Sequence, residues 1–291
     1  MKVYIIPFIL FAFLLTNCED PIDVPSPFEE STVVVDAWLT NTEEVQTIRL
    51  NESVDYFAGG ESPAISGATI TVCRNDGEAC FSFAEAAAGV YLWQPQTGET
   101  LGSPGDEFEL SIATEGRRFS ALTQLRRTAI IDSISLEFEE ESLRRDEGFY
   151  PQVYARDLPG QGDTYWLKAW KNDTLLNRTS ELTISYDGTF SAGTNIDGGY
   201  FLPPLREIEP LNDDGEPVPF LAGDSLYVEV HSISNIAFNF LEIAERQIEN
   251  TGLFASPIAN ARGNIRDEES GELILGIFNV AEVASASILV E

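Results

Sequence analysis

Glu107-Phe108-Glu109-Leu110-Ser111-Ile112-Ala113 is the stretch that decides the class of fold. Apolar and polar residues alternate through it with period two, as in a strand with one face on a core and one in water. Glu115-Gly116 then supplies a turn, and Arg118-Phe119-Ser120-Ala121 resumes the alternation as a returning strand. Similar runs lie upstream at Thr32-Val33-Val34-Val35-Asp36-Ala37-Trp38-Leu39, Gln46 to Leu50, Ala68 to Cys73 and Gly89 to Trp93. Others lie downstream at Ile130 to Phe138, Tyr150 to Arg156, Thr164 to Lys171, Leu182 to Tyr186, Ser225 to Ser232, Leu273 to Asn279 and Ala284 to Leu289. Short strands with Gly, Asn and Asp punctuation predict a mainly β protein of two β-sandwich-like domains. The first, 32–126, is the smaller sandwich. The second, 127–291, is a larger sandwich with one helix near 235–250. There Ile236, Phe240, Ile243 and Ile248 fall at helical spacing, Ser234 or Asn235 is placed to cap, and Gly252 to stop.

The N-terminus carries a second signal. Lys2 precedes a mostly apolar run from Val3 to Leu15, and Cys18 follows. That order reads as a signal peptide over 1–17. The apolar run is too short for a bilayer core of about 30 Å, which needs roughly 20 residues. Leu15-Thr16-Asn17-Cys18 resembles a bacterial lipobox, with Asn17 where Gly, Ala or Ser is usual. On that reading the chain is cut before Cys18, and Cys18 is the lipidation site. The other reading is an ordinary signal peptide that ends beside a cysteine. Two or three acyl chains, at about 0.8 kcal/mol per CH₂, give stable anchoring. Residues 18–31 set Pro21, Pro25 and Pro27 among acidic residues, which predicts an extended tether.

Charge narrows the partners. The 291 residues hold 17 Lys and Arg against 48 Asp and Glu, a formal charge of −31 at pH 7. That excludes nucleic acid and opposes unaided adsorption to anionic headgroups. Cys73 and Cys80 flank Arg74-Asn75-Asp76-Gly77-Glu78-Ala79. With Asp76-Gly77 as a two-residue turn, 73 and 80 oppose each other as a hydrogen-bonded pair, about 5.5 Å apart at Cα. That separation suits a structural disulfide in an oxidising compartment. The pair lacks the CxxC spacing and neighbouring His of a zinc or redox site, so no metal or cofactor is expected.

Candidate chemistry is sparse. His231 is the only histidine, and neither a G-x-S-x-G elbow nor H-E-x-x-H accompanies it, so a plain strand histidine is the leading reading. Asn212-Asp213-Asp214-Gly215-Glu216 could offer oxygen ligands to calcium, or simply be a turn between Pro210 and Pro217. On the strand Thr164 to Lys171, Trp166, Lys168 and Trp170 share one face, and Tyr165, Leu167 and Ala169 the other. Trp166 and Trp170 are therefore candidate ligand-contact aromatics, with core packing as the competing use.

Several segments together resemble one family. They are Val33 to Thr40, Ile65-Ser66-Gly67-Ala68-Thr69-Ile70-Thr71-Val72, Ala88-Gly89-Val90-Tyr91, Asp157-Leu158-Pro159-Gly160 with Thr164-Tyr165-Trp166-Leu167, and Ser256 to Ile265 followed by Gly276-Ile277-Phe278. In this order, behind a lipobox, they resemble the domain of unknown function 4249 family, lipoproteins of the Bacteroidota. The resemblance implies an outer-membrane lipoprotein, often encoded beside a Sus-type TonB-dependent β-barrel transporter. It implies no reaction and no catalytic residues. Cys18-Glu19-Asp20 is similar to the acidic signal that sends such lipoproteins to the cell surface. The function expected is a non-enzymatic accessory or ligand-capture partner of that transporter. The alternatives are a surface carbohydrate-active hydrolase working through two carboxylates, and an adhesion or envelope-assembly component. The first domain, 32–126, with an alternating strand, a Gly-rich turn and then Gly89-Val90-Tyr91, resembles small immunoglobulin- and prealbumin-like sandwiches.

Overall fold

The computed structural model describes residues 32–54, 62–75, 77, 79–193, 197–249 and 261–291. The signal segment, Cys18 and the tether, Asp76 and Glu78 of the cysteine hairpin, Gly252 and the stretch 250–260 lie outside the described residues. The protein is mainly β with one main helix, Asn235–Glu249. The first seven strands are β1 (Val33–Thr40), β2 (Gln46–Glu52), β3 (Thr69–Arg74), β4 (Cys80–Ala87), β5 (Val90–Trp93), β6 (Glu107–Thr114) and β7 (Arg117–Gln124). Then come β8 (Ile130–Glu139), β9 (Gly148–Arg156), β10 (Thr164–Lys171), β11 (Thr174–Leu175), β12 (Thr183–Tyr186) and β13 (Ser225–Ile233). After the helix follow β14 (Arg266–Asp267), β15 (Leu275–Ala281) and β16 (Val283–Leu289).

Alternation builds the first core. Phe108, Leu110 and Ile112 of β6 point inward while the residues between them are exposed, and β7 answers with Phe119 and Ala121. Nine strands form one curled sheet in the order β14-β7-β6-β3-β4-β5-β2-β1-β15. The curl turns at β4, whose first half pairs with β3 and whose second half pairs with β5 past an irregularity between Glu85 and Ala87. A strand that changes partners at a bulge is how two faces of a sandwich share one chain segment. The alanines of β4 have weak strand preference, so the segment beyond Cys80 was not marked by its own composition. Residues 32–126 supply seven of the nine strands, and β14 and β15 arrive from beyond residue 265.

The second core sits between the sheet β11-β10-β13-β16, with β12 also on β10, and the ribbon β8-β9. Tyr165, Leu167 and Ala169 of β10 and Leu226, Val228 and Val230 of β13 line it. The helix closes a third cluster, with Ala237, Phe238 and Leu241 packed against Ile233 and Ile277. Its cap is Ser234, whose Oγ accepts the Ala237 N–H at 3.1 Å. Asn235 does not cap but bridges: its Oδ1 accepts from Arg126 at 2.7 Å and from Thr164 at 3.2 Å.

The two sheets are joined by one nearly continuous strand. β15 lies parallel to β1, and β16, one residue later, lies antiparallel to β13. Glu282 stands at the crossing. Its backbone exchanges bonds with Ser232, and its carboxylate accepts the Thr128 N–H at 2.8 Å. The buried Asn279 side chain donates to Ser232 O and accepts from Ser234 N–H. These polar groups are satisfied at a point where water is excluded.

Glycine makes the parallel pairing possible. Gly276 has φ +109°, and a Cβ there would fall 2.0 Å from Val35 O. A Cβ on Gly263 would fall 1.5 Å from Gly276 O. Asn264 then bridges both backbone groups of Phe278, accepting its N–H at 2.9 Å and donating to its carbonyl at 2.8 Å. The Arg262-Gly263-Asn264 and Gly276-Ile277-Phe278 segments thus form a backbone clasp. The Asp157–Thr164 segment is another, gathered around Arg127, which donates to Pro159 O, Gly160 O and Asp163.

Cys73 and Cys80 are directly opposed and disulfide-bonded, with Cα atoms 4.0 Å apart. The hydrogen-bonded neighbour is the 74–79 pair, since Arg74 N–H donates to Ala79 O and Gly77 N–H to Arg74 O. The loop is therefore longer than a two-residue Asp76-Gly77 turn, and 73–80 becomes a non-hydrogen-bonded pair. That corrects the expected pairing type and favours the bridge, because non-hydrogen-bonded pairs bring side chains closer. Cys73→Ser with Cys80→Ser should cost about 2.5 kcal/mol through the opened loop, seen calorimetrically as a Tm about 5–10 °C lower; an unchanged Tm would contradict a stabilising bridge. Gly276→Ala should cost about 3 kcal/mol or more. Gly271→Ala, with φ +73° but open space, should cost only about 1 kcal/mol. Equal losses in denaturant titrations would show that close approach is not what Gly276 serves.

Candidate functional site

The outward faces of the two sheets meet across a cleft of ≈ 310 Å³. Because β1 sends Val35, Ala37 and Leu39 into its core, Asp36, Trp38 and Thr40 face the other way. Opposite them, β10 and β13 pair in register as Trp166–His231, Lys168–Glu229 and Trp170–Tyr227. These six side chains share the face turned away from the second core. Trp38 packs edge-on to Trp166 at 5.0 Å and lies 6.5 Å from Phe240 of the helix, which closes one end. Asp36, Trp38, Arg49, Lys168, Glu229 and His231 are among the cleft-lining residues.

The charges fall into two groups. Glu229 is committed: Tyr227 OH donates to it at 2.8 Å, and His231 Nε2 lies 2.6 Å away. Burial works to raise Glu229, but those two hydrogen bonds and Lys168 carry it below the usual carboxylate range. An ionised Glu229 can only accept, so His231 carries its proton on Nε2. Burial in turn pushes His231 below its ordinary value, against the pull of Glu229.

Lys168 and Asp36 are less well served. Lys168 Nζ sits 4.0 Å from the centre of the Trp166 ring, and among the described residues it forms no ion pair or hydrogen bond. Burial lowers it, opposed by Glu229 and Asp36. Asp36 has only a 3.8 Å ion pair with Arg49, beyond hydrogen-bond reach, and its side chain is 49% exposed. The crowding of protein around it nevertheless raises it above the carboxylate norm, opposed by Arg49 and Lys168. Two opposite charges therefore stand in one cleft, Lys168 without an ion pair among the described residues and Asp36 with a single long one.

Of the residues singled out in sequence, Trp166 floors Lys168 and packs on Trp38, and Trp170 stacks 5.3 Å from Tyr227 outside the cleft lining. His231 does lie in the cleft, paired to Glu229. The 212–216 segment is a turn closed by Asn212, whose Oδ1 accepts the Asp214 and Glu216 N–H groups, while Arg178 binds Asn212 O and Asp213. Among the described residues no group of acidic, His or Cys side chains is placed to hold a metal ion. Asp36, Lys168 and Glu229 were not singled out by sequence. The alternation that put Lys168 beside Trp166 was visible, but its partner strands were not.

A mainly β chain with one main helix, whose two sheet systems share an interfacial polar cleft, is the class these features define. The chain belongs to the family described as a domain of unknown function (DUF4249), whose model matches residues 19–287. A solved structure of the chicken CNTN1 FN1-FN3 domains is similar at 11% identity and a TM-score of 0.24, over 69% of this chain and 57% of that one. No curated protein matches the chain.

The site sets a stability sign. A carboxyl whose folded pKa is raised favours folding in its protonated form, and that contribution is lost as pH rises through the folded value. Asp36→Asn removes the penalty, so it should raise Tm at pH 7, with the gain vanishing below the unfolded carboxylate pKa. A Tm at pH 7 below that of the parent would show that Asp36 is satisfied as an anion.

Proposed function

We propose that this protein is a non-enzymatic outer-membrane lipoprotein, anchored through Cys18 and facing the cell surface, that serves a TonB-dependent β-barrel transporter as an accessory or ligand-capture partner. The observation that carries the capture role is the cleft between the sheets. It is near the small end of the size range of ligand sites, has an aromatic wall, and presents Lys168 with no ion pair among the described residues and Asp36 with one long ion pair to Arg49. The anchor and the partner rest on the lipobox and on membership of the family. Net charge of −31 supports a role in the aqueous layer beyond the membrane, with the acyl chains supplying the hold on lipid. The hydrolase alternative asks for two facing carboxylates with oxygens free for an acid and a base or nucleophile. Glu229 has both oxygens engaged, by Tyr227 and His231, which does not favour it.

Mild-detergent extraction of the full chain from its native membrane, followed by affinity capture, should recover a β-barrel transporter. Cys18→Ser should move the protein out of the membrane fraction and abolish that recovery. Capture of no barrel by the lipidated protein would sink the partnership.

A further inference from the structure

We infer that the cleft between the sheets receives a small zwitterion of amino-acid or dipeptide size, with its carboxylate at Lys168 and its ammonium at Asp36. The inference rests on the capture role proposed for the cleft and gives it a ligand class. The ≈ 310 Å³ space is lined by Asp36, Glu44, Arg49, Lys168, Glu229 and His231, besides the Trp38 wall. A simple anion would meet three carboxylates there, and a simple cation would meet Lys168 and Arg49. A neutral ligand would leave both under-served charges desolvated without a counter-charge. Glu229 is excluded as the receptor of the ammonium, because Tyr227 at 2.8 Å and His231 at 2.6 Å already hold its two oxygens. His231, uncharged and donating to Glu229, adds no attraction for the carboxylate.

Of the other lining charges, Glu44 is exposed and Arg49 is exposed and paired to Asp36, and we take Lys168 and Asp36 as the two ends of the site. Lys168 sits over Trp166, 4.0 Å from the ring centre, so its ammonium is fixed in position while its hydrogens have no acceptor among the described residues. Asp36 is held only by a 3.8 Å ion pair to Arg49, longer than a hydrogen bond, and its side chain is half exposed. A ligand bearing both charges would complete both groups at once, and its apolar part would lie on Trp38 with Val45 and Val283 nearby.

Calorimetric titration with L-leucine and glycyl-L-leucine tests this directly. Blocking one charge at a time supplies the controls: the N-acetyl form lacks the ammonium and the C-terminal amide lacks the carboxylate. One or both zwitterions should bind, and each blocked form should bind at least about tenfold more weakly. Lys168→Met should erase the preference over the amide and keep the preference over the N-acetyl form. Asp36→Asn should do the reverse. Equal binding of blocked and unblocked forms, absence of binding by both zwitterions, or tighter binding of glucose would overturn the ligand class. Recovery of a transporter in the capture experiment alongside any of those results would leave the partnership standing, so the two failures are told apart.

Discussion

The backbone contact between Gly276 and Val35 is the constraint on which the architecture turns. A side chain at 276 would overlap Val35 O at 2.0 Å, so only glycine lets β15 lie in parallel register against β1. With β15 in place, the chain has one residue, Glu282, in which to leave the first sheet and enter the second as β16. Parallel neighbours require a long connection. Here that connection holds β2 to β14 and the helix, including every strand of the second sheet except β16, because β1 and β15 stand far apart in the sequence. Closing so long a loop costs entropy once. The cost is met by burying Val35, Ala37, Ile277 and Phe278 around the seam.

The seam also sets the cleft. Since β15 attaches to β1 and β16 to β13, the outward face of β1 and the outward face of β13 are brought opposite each other by a single short crossing. Strand alternation does the rest: what is not in one of the two cores must face the cleft or water. Trp38 and Trp166 fill the end nearest the helix, packed against its apolar cluster. Away from that end the walls become polar, and the same geometry gathers Lys168, Asp36 and Glu229 along one cleft. Position within the fold, more than any local motif, gives these groups their electrostatic character.

Much of the fold was legible in sequence because alternation is local. The strands around Phe108, Ile70 and Leu167, and the helix from Asn235 to Glu249, announce themselves through periodicity alone. β4 is less legible past Cys80, since Ala84 to Ala87 lack strand-forming side chains and are held by their neighbours on both sides. The pairing of β15 with β1 was not legible, because nothing near residue 276 names residue 35 as its partner. The Cys73–Cys80 bridge could be foreseen, but its pairing type could not, because that depends on one hydrogen bond between Arg74 and Ala79. The cleft needed three strands from distant parts of the chain. Lys168 on its own reads as one more lysine on a solvated face.

That lysine is where folding and function part company. A pair of buried or half-buried opposite charges that do not touch adds little to stability, and apolar side chains of similar volume would serve folding as well or better. The neighbouring Tyr227–Glu229–His231 set shows what a structurally satisfied polar cluster looks like on the adjacent strand: short bonds, both carboxylate oxygens used, the histidine neutral. Lys168 and Asp36 differ from that pattern while lying close beside it. Local rules are broken most often where a site is held ready for something outside the chain. Here the departure is confined to two residues of opposite sign, which is what a receptor for a molecule with two opposite ends would require.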